Sequence, residues 1–143
     1  MADIRHLLTI KASASKVYEA ITSQKGLQNW WTTKVKGDSR EGQSLEFGFD
    51  PDYSKSFDVK KSNGKNVEWK CTNAHPEWID TTVRFDLEEN SGATTVRFAH
   101  DGWKSETDMY AICNFHWGKY MQSLQSYCES GSGQPYNSNY QFN

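Results

Sequence analysis

Three absences narrow this 143-residue chain before any motif is read. Cysteine is sparse and odd in number: Cys71, Cys113 and Cys128, with no CxxC and no Cys/His spacing. That excludes a disulfide framework and a zinc module. All three fall inside expected strands or helix, which suits reduced thiols and a cytoplasmic setting. No apolar run is long enough to span a bilayer. The opening MADIRHLLTIKA lacks the basic start and apolar stretch of a secretory leader. The expectation is therefore a protein with no integral membrane association. Charge of one sign is missing too: 16 Lys and Arg stand against 18 Asp and Glu, net −2. No broad positive field recruits nucleic acid or an anionic membrane. Lys60, Lys61, Lys65 and Lys70 cluster, but Asp58 and Glu68 interleave with them, as on a solvated sheet face.

Catalytic signatures are equally scarce. There is no Gly-rich phosphate loop, no GxSxG elbow and no HxxxH pair. Acidic residues in the strand-like segments fall almost entirely on the outward parity, which argues against carboxylate acid–base chemistry. No metal, no cofactor and no catalytic residue is assigned.

What the chain has in quantity is alternation. Ile4, His6, Leu8 and Ile10 give a first strand one inward face. Ser13–Thr22 reads as a short helix burying Val17, Ala20 and Ile21, with Ser13 or Ser15 as its cap. Gly26 is read as a break, and Leu27–Trp31 as a second helical turn ending in Trp30 and Trp31. From Lys34 onward the period is two. Leu45, Phe47 and Phe49 share a face, as do Phe57 and Val59, then Val67, Trp69 and Cys71. Ile79, Thr81, Val83, Phe85 and Leu87 follow, and Thr94, Val96, Phe98 and His100 complete the set. Pro51-Asp52, Asn63-Gly64 and Asn90-Ser91-Gly92 mark turns between them. A long helix is expected over Ser105–Glu129, capped by Ser105, with Met109, Cys113, Trp117, Tyr120, Leu124 and Tyr127 as its apolar stripe. Gly118 falls on its polar side and receives no packing role. The domain is taken as residues 1–133, with 134–143 as a polar tail carrying Tyr136, Tyr140 and Phe142.

This order, strand, two short helices, antiparallel strands and one long helix, resembles the START-like or SRPBCC superfamily, which includes the birch-pollen allergens. Three segments resemble its branch named after the activator of heat-shock-protein-ninety ATPase. They are IKASASKVYEAITSQKGLQNWW (10–31), VEWKCTNAHPEWIDTTVRFDL (67–87, continuing into TTVRFAHDGW) and HWGKYMQSLQSYCESGSGQPY (116–136). The resemblance implies an α+β helix-grip fold: a curved antiparallel sheet wrapped around the final helix, enclosing an apolar cavity. Relatives in the superfamily include ligand carriers, cyclases and aromatases, drug-sequestering proteins and a co-chaperone domain.

The aromatic load, six Trp, seven Tyr and seven Phe, gives such a cavity its walls. Candidate ligand-binding residues are Trp30, Trp31, Phe47, Phe49, Phe57, Trp69, Phe85, Phe98, His100, Cys113, Trp117 and Tyr120. Any single ring is simplest as ordinary core. As a set they predict a pocket of roughly 300 Å3 or more between sheet and helix. His100 is the sharpest single candidate, because an inward imidazole needs hydrogen-bond partners. It is either a satisfied core histidine or a group that orients a ligand, and a pair with His6 is open. His75 and Glu77 read as loop residues and His116 as a boundary residue. The expected function is non-enzymatic binding of a small, largely apolar molecule, aromatic or lipid-like. The alternatives are a cyclase- or aromatase-like enzyme using His100, and a chaperone-regulating interaction module. A homodimer stays open.

Overall fold

In a computed structural model, which describes residues 1–50 and 52–136, seven strands form one antiparallel sheet against three helices. Strand β1 (Ala2–Ile10) is followed by α1 (Ala14–Thr22) and α2 (Gln24–Trp30). Strands β2 (Lys34–Gly37), β3 (Ser44–Asp50), β4 (Tyr53–Ser62), β5 (Asn66–Asn73), β6 (Thr82–Asn90) and β7 (Ala93–Trp103) then run to α3 (Asp108–Ser130). The spatial order is β1-β7-β6-β5-β4-β3-β2. The pair α1–α2 thus carries the chain from one sheet edge to the other, and hairpins return it until β7 meets β1. Register shifts interrupt the β3–β4 and β4–β5 ladders, and such bulges add twist and let the sheet curve around α3.

Local chemistry explains most boundaries. The Ser13 hydroxyl oxygen accepts from the Lys16 amide at 3.2 Å and starts α1; Ser23 does the same for α2, accepting from the Gly26 amide at 2.9 Å. Asn63 Oδ1 accepts from the Lys65 and Asn66 amides, holding the β4–β5 hairpin at the expected Asn-Gly turn. Ser91 and Gly92, both with positive φ, form the two-residue turn between β6 and β7.

Four expectations are corrected. Gly26 does not break α2; it lies inside it. A Cβ there would come within 2.6 Å of the Ala20 backbone, so glycine is what lets α1 and α2 touch. Gly26→Ala is expected to cost about 1–3 kcal/mol in urea denaturation, from overpacking; an unchanged midpoint would mean the helices can slide apart. Second, α3 begins at Asp108 rather than Ser105. β7 continues through Trp103, and the Thr107 hydroxyl caps the helix by accepting from the Tyr110 amide at 3.2 Å. Third, β6 starts at Thr82. Ile79 is 43% exposed, in a turn that closes at Asp80 with φ 72°. Fourth, Gly118 does pack: its face of α3 lies over β1, and a Cβ there would sit 3.5 Å from His6 Cε1.

Of the C-terminal segment, Gln134–Tyr136 is described, and Tyr136 is buried on the body. Its amide donates to the Trp31 carbonyl at 2.7 Å, and the Thr33 amide donates to its carbonyl at 3.1 Å. Pro51, Tyr140 and Phe142 lie outside the described residues.

Candidate functional site

The rings expected to line a cavity instead fill the space between sheet and helix. Trp31, 1% exposed, is the hub. Its centroid lies 4.3 Å from Phe47, 5.1 Å from Trp117 and 6.1 Å from both Phe57 and Trp69. Trp30 stacks beside it at 6.0 Å, meets Phe85 edge-on, and donates its indole N–H to the Ala20 carbonyl at 2.7 Å. Phe98 closes against Trp117 at 4.5 Å and against Phe85 at 5.2 Å. Each such pair adds about 0.5–1.5 kcal/mol beyond area burial. Strand parity correctly turned these side chains inward. The volume is consumed by Trp30, the last residue of α2, and Trp31, which follows it.

What remains is a cleft of about 120 Å3 at one end of the grip, open to solvent. This is well under the roughly 300 Å3 expected. Of the candidate residues, Trp31, Phe49, Cys113, Trp117 and Tyr120 reach its wall. Trp30, Phe47, Phe57, Trp69, Phe85, Phe98 and His100 do not; they form the packed layer behind it. Six further wall residues were not singled out from sequence as site residues: Asp50, Tyr53, Lys55, Trp78, His116 and Tyr136. Lys55 carried a readable signal, since it shares parity with Phe57 and Val59 on β4. Trp78 carried none. It is 3% exposed because the turn after β5 folds it back over the sheet, where its indole N–H donates to Cys113 Sγ at 3.3 Å.

The cleft's electrostatics are unusual for so aromatic a place. Lys55 Nζ lies 3.7 Å from the Trp78 ring centroid and 4.4 Å from that of Phe49, a cation–π arrangement. Burial pulls its pKa down to about 8. Tyr136 donates its hydroxyl to Asp50 Oδ1 at 2.5 Å, and burial with this bond pushes the phenol up to about 12.

His100 sits behind the cleft, fully buried. Trp117 Nε1 donates to its Nδ1 at 3.0 Å, so the ring proton is on Nε2, which points at Thr81 Oγ1 2.7 Å away. The Thr81 hydroxyl in turn donates to the Trp78 carbonyl at 2.5 Å. Both ring nitrogens are therefore spent inside the protein, and His100 has no face toward the cleft. The His6 pairing is corrected as well: in the ladder His6 stands opposite Phe98, while His100 stands opposite Ile4. Asp101, a candidate partner for His100, binds Arg84 instead, at 2.5 Å.

Desolvation, with a smaller effect from Lys55, lowers the His100 pKa to about 3. The sign follows directly. The unfolded chain takes up this proton near pH 6.5 and the folded chain only near 3, so stability falls as pH drops through that window and is indifferent to His100 above it. The expected loss is about half a proton's worth at pH 6.5 and approaches about 1.4 kcal/mol per pH unit, one full proton, between about pH 5.5 and 4.5. Urea titrations across this range would read it. A slope under half a proton would mean the imidazole is charged in the fold.

Cys71, Cys113 and Cys128 are buried and unpaired, and burial raises all three thiols, Cys71 and Cys128 to about 11. They are poor nucleophiles. Among the described residues no group of three or more His, Cys, Asp and Glu could hold a metal ion. No helix among them is long and apolar enough to cross a membrane.

A seven-stranded antiparallel sheet closed on a long C-terminal helix, with two short helices after the first strand, is the START-like helix-grip class. Within that class residues 11–129 match the family described as Activator of Hsp90 ATPase homolog 1-like protein, and the chain belongs to it. Among solved structures, it is similar to the Aha1 dimer from Colwellia psychrerythraea at 36% identity. That match covers 93% of this chain and 100% of the other, with a TM-score of 0.85. Protein SSP2350 from Staphylococcus saprophyticus shares the fold at 13% identity, over 93% of this chain and 96% of that one, TM-score 0.78. CalU16 from Micromonospora echinospora does so at 20%, over 92% and 76%, TM-score 0.77. No curated protein matches. The family's fold is consistent with ligand binding.

Proposed function

We propose that the protein binds, without transforming it, one small flat aromatic molecule in the cleft between β3–β4 and α3. The observation that supports this most is the wall itself: Trp31, Phe49, Trp78, Trp117, Tyr120 and Tyr136 converge on an open space of about 120 Å3. That suits a single ring far better than an acyl chain, so the aromatic ligand is preferred over the lipid-like one. The cyclase reading loses its support, because both His100 nitrogens are already bonded. The test is intrinsic fluorescence. Indole-sized ligands should quench or shift the emission of Trp31, Trp78 and Trp117, and a Tyr120→Trp change at the wall should weaken binding by filling the cleft. A saturating titration with no spectral change and no heat in calorimetry would end the proposal.

A second reading, self-association with or without a chaperone partner, draws on the Colwellia relative, which was solved as a dimer. Exposed Ile112 and Phe115 on α3 are apolar surface available to it. Sedimentation equilibrium over a hundredfold dilution decides it: a monomer at every concentration would remove self-association.

A further inference from the structure

The cleft contains one charge that the fold does not use. Lys55 enters it from the inward face of β4, and three rings surround its ammonium: Trp78 at 3.7 Å, Phe49 at 4.4 Å and Tyr53 at 6.0 Å from Nζ to centroid. Rings attract a cation but accept none of its N–H bonds in the way an oxygen does. Among the described residues, no carboxylate lies within ion-pair distance of Nζ and no hydrogen bond from it is formed. Asp50, the acidic residue on the cleft wall, is committed to the Tyr136 hydroxyl. A desolvated cation without an anion is costly, and a methionine would fill the same volume without that cost. The ammonium borders open space, so its missing partner can arrive from solution.

We infer that the ligand of this cleft is an aromatic monocarboxylate, its ring against the Trp31, Trp78 and Trp117 wall and its carboxylate on Lys55 Nζ. The inference rests on the reading of the cleft as a ligand site and adds the charge and the polar group of that ligand. One cation matches one negative charge. A phosphate monoester, nearly dianionic at neutral pH, would leave the excess beside the Asp50 carboxylate. A cationic ligand would meet Lys55 itself. The cleft volume of about 120 Å3 leaves room for one ring and a planar anionic group, and for little more. The amine, although depressed to about 8, remains mostly protonated at pH 7 and can pair there.

Calorimetric titration of the whole protein at pH 7 with benzoate, benzamide, acetate and inorganic phosphate separates the elements of this assignment. Benzoate should bind at least tenfold more tightly than benzamide, with acetate and phosphate weaker than either. Lys55→Met should remove the benzoate preference while leaving benzamide binding and the unfolding midpoint in place or improved. Equal affinity for benzoate and benzamide would overturn the carboxylate assignment while leaving the aromatic cleft standing. A benzoate preference that survives Lys55→Met would overturn the role of Lys55. Acetate or phosphate matching benzoate would show an anion site without a ring requirement, and overturn the inference. Silence from both ring compounds would instead remove the cleft as a ligand site.

Discussion

Trp117→Ala should lower stability by about 3–5 kcal/mol from lost packing alone. The side chain is 2% exposed and meets Phe98, Trp31 and Trp78 at centroid distances of 4.5, 5.1 and 6.1 Å. Its loss also removes the donor to His100 Nδ1, leaving a buried acceptor unpaired at a further cost of about 1–3 kcal/mol. The two contributions separate by comparison with Trp117→Phe, which retains a ring but not the indole N–H. If equilibrium unfolding places Trp117→Phe level with wild type, the hydrogen bond to His100 carries no net stability. If Trp117→Ala is itself neutral, the packed interface between α3 and the sheet is wrong.

Trp31→Ala should cost a similar amount, about 3–5 kcal/mol, and should also create what the wild type lacks. Trp31 occupies the middle of the grip, in contact with Phe47, Phe57, Trp69, Trp117 and Tyr120. Removing its indole leaves an apolar void on the order of 100–150 Å3, a size that accommodates benzene. The void would join the existing cleft, of whose wall Trp31 is part. The variant should therefore gain more stability from benzene than wild type does. Thermal unfolding with and without saturating benzene measures this. A variant no more responsive than wild type would show that the surrounding rings collapse into the gap.

These two tryptophans also mark where sequence reading stops. Alternation located the strands well, because a half-buried sheet enforces a period of two, and it placed Phe47, Trp69, Phe85 and Phe98 on the correct side. It could not say whether the space they face is empty. Direction is a local property, whereas cavity volume is a sum over every side chain that enters, including Trp30 and Trp31 from the end of α2. The helix start was misplaced because Ser105 and Thr107 offer the same capping chemistry. The choice between them depends on how far β7 stays paired with β1, and Ala2 still faces Trp103. The cleft was missed in part for a third reason. Trp78 lies in an irregular turn after His75 and Pro76, where no periodicity exists to orient a side chain. Lys55, by contrast, shares the parity of Phe57 and Val59, although a lysine in a strand ordinarily faces water.

Tyr136 gives the cleft a property that the sheet and helix alone would not. It stands three residues beyond Gly133, packs its ring tilted against Phe49 at 5.4 Å, and is tied to Asp50, Trp31 and Thr33. One wall of the candidate site thus comes from the segment after α3, held by a few bonds to Trp31, Thr33 and Asp50. Removing the Tyr136 side chain would widen the opening and free the Asp50 carboxylate. The width of the entrance is therefore set in part by a residue that belongs to neither the sheet nor α3.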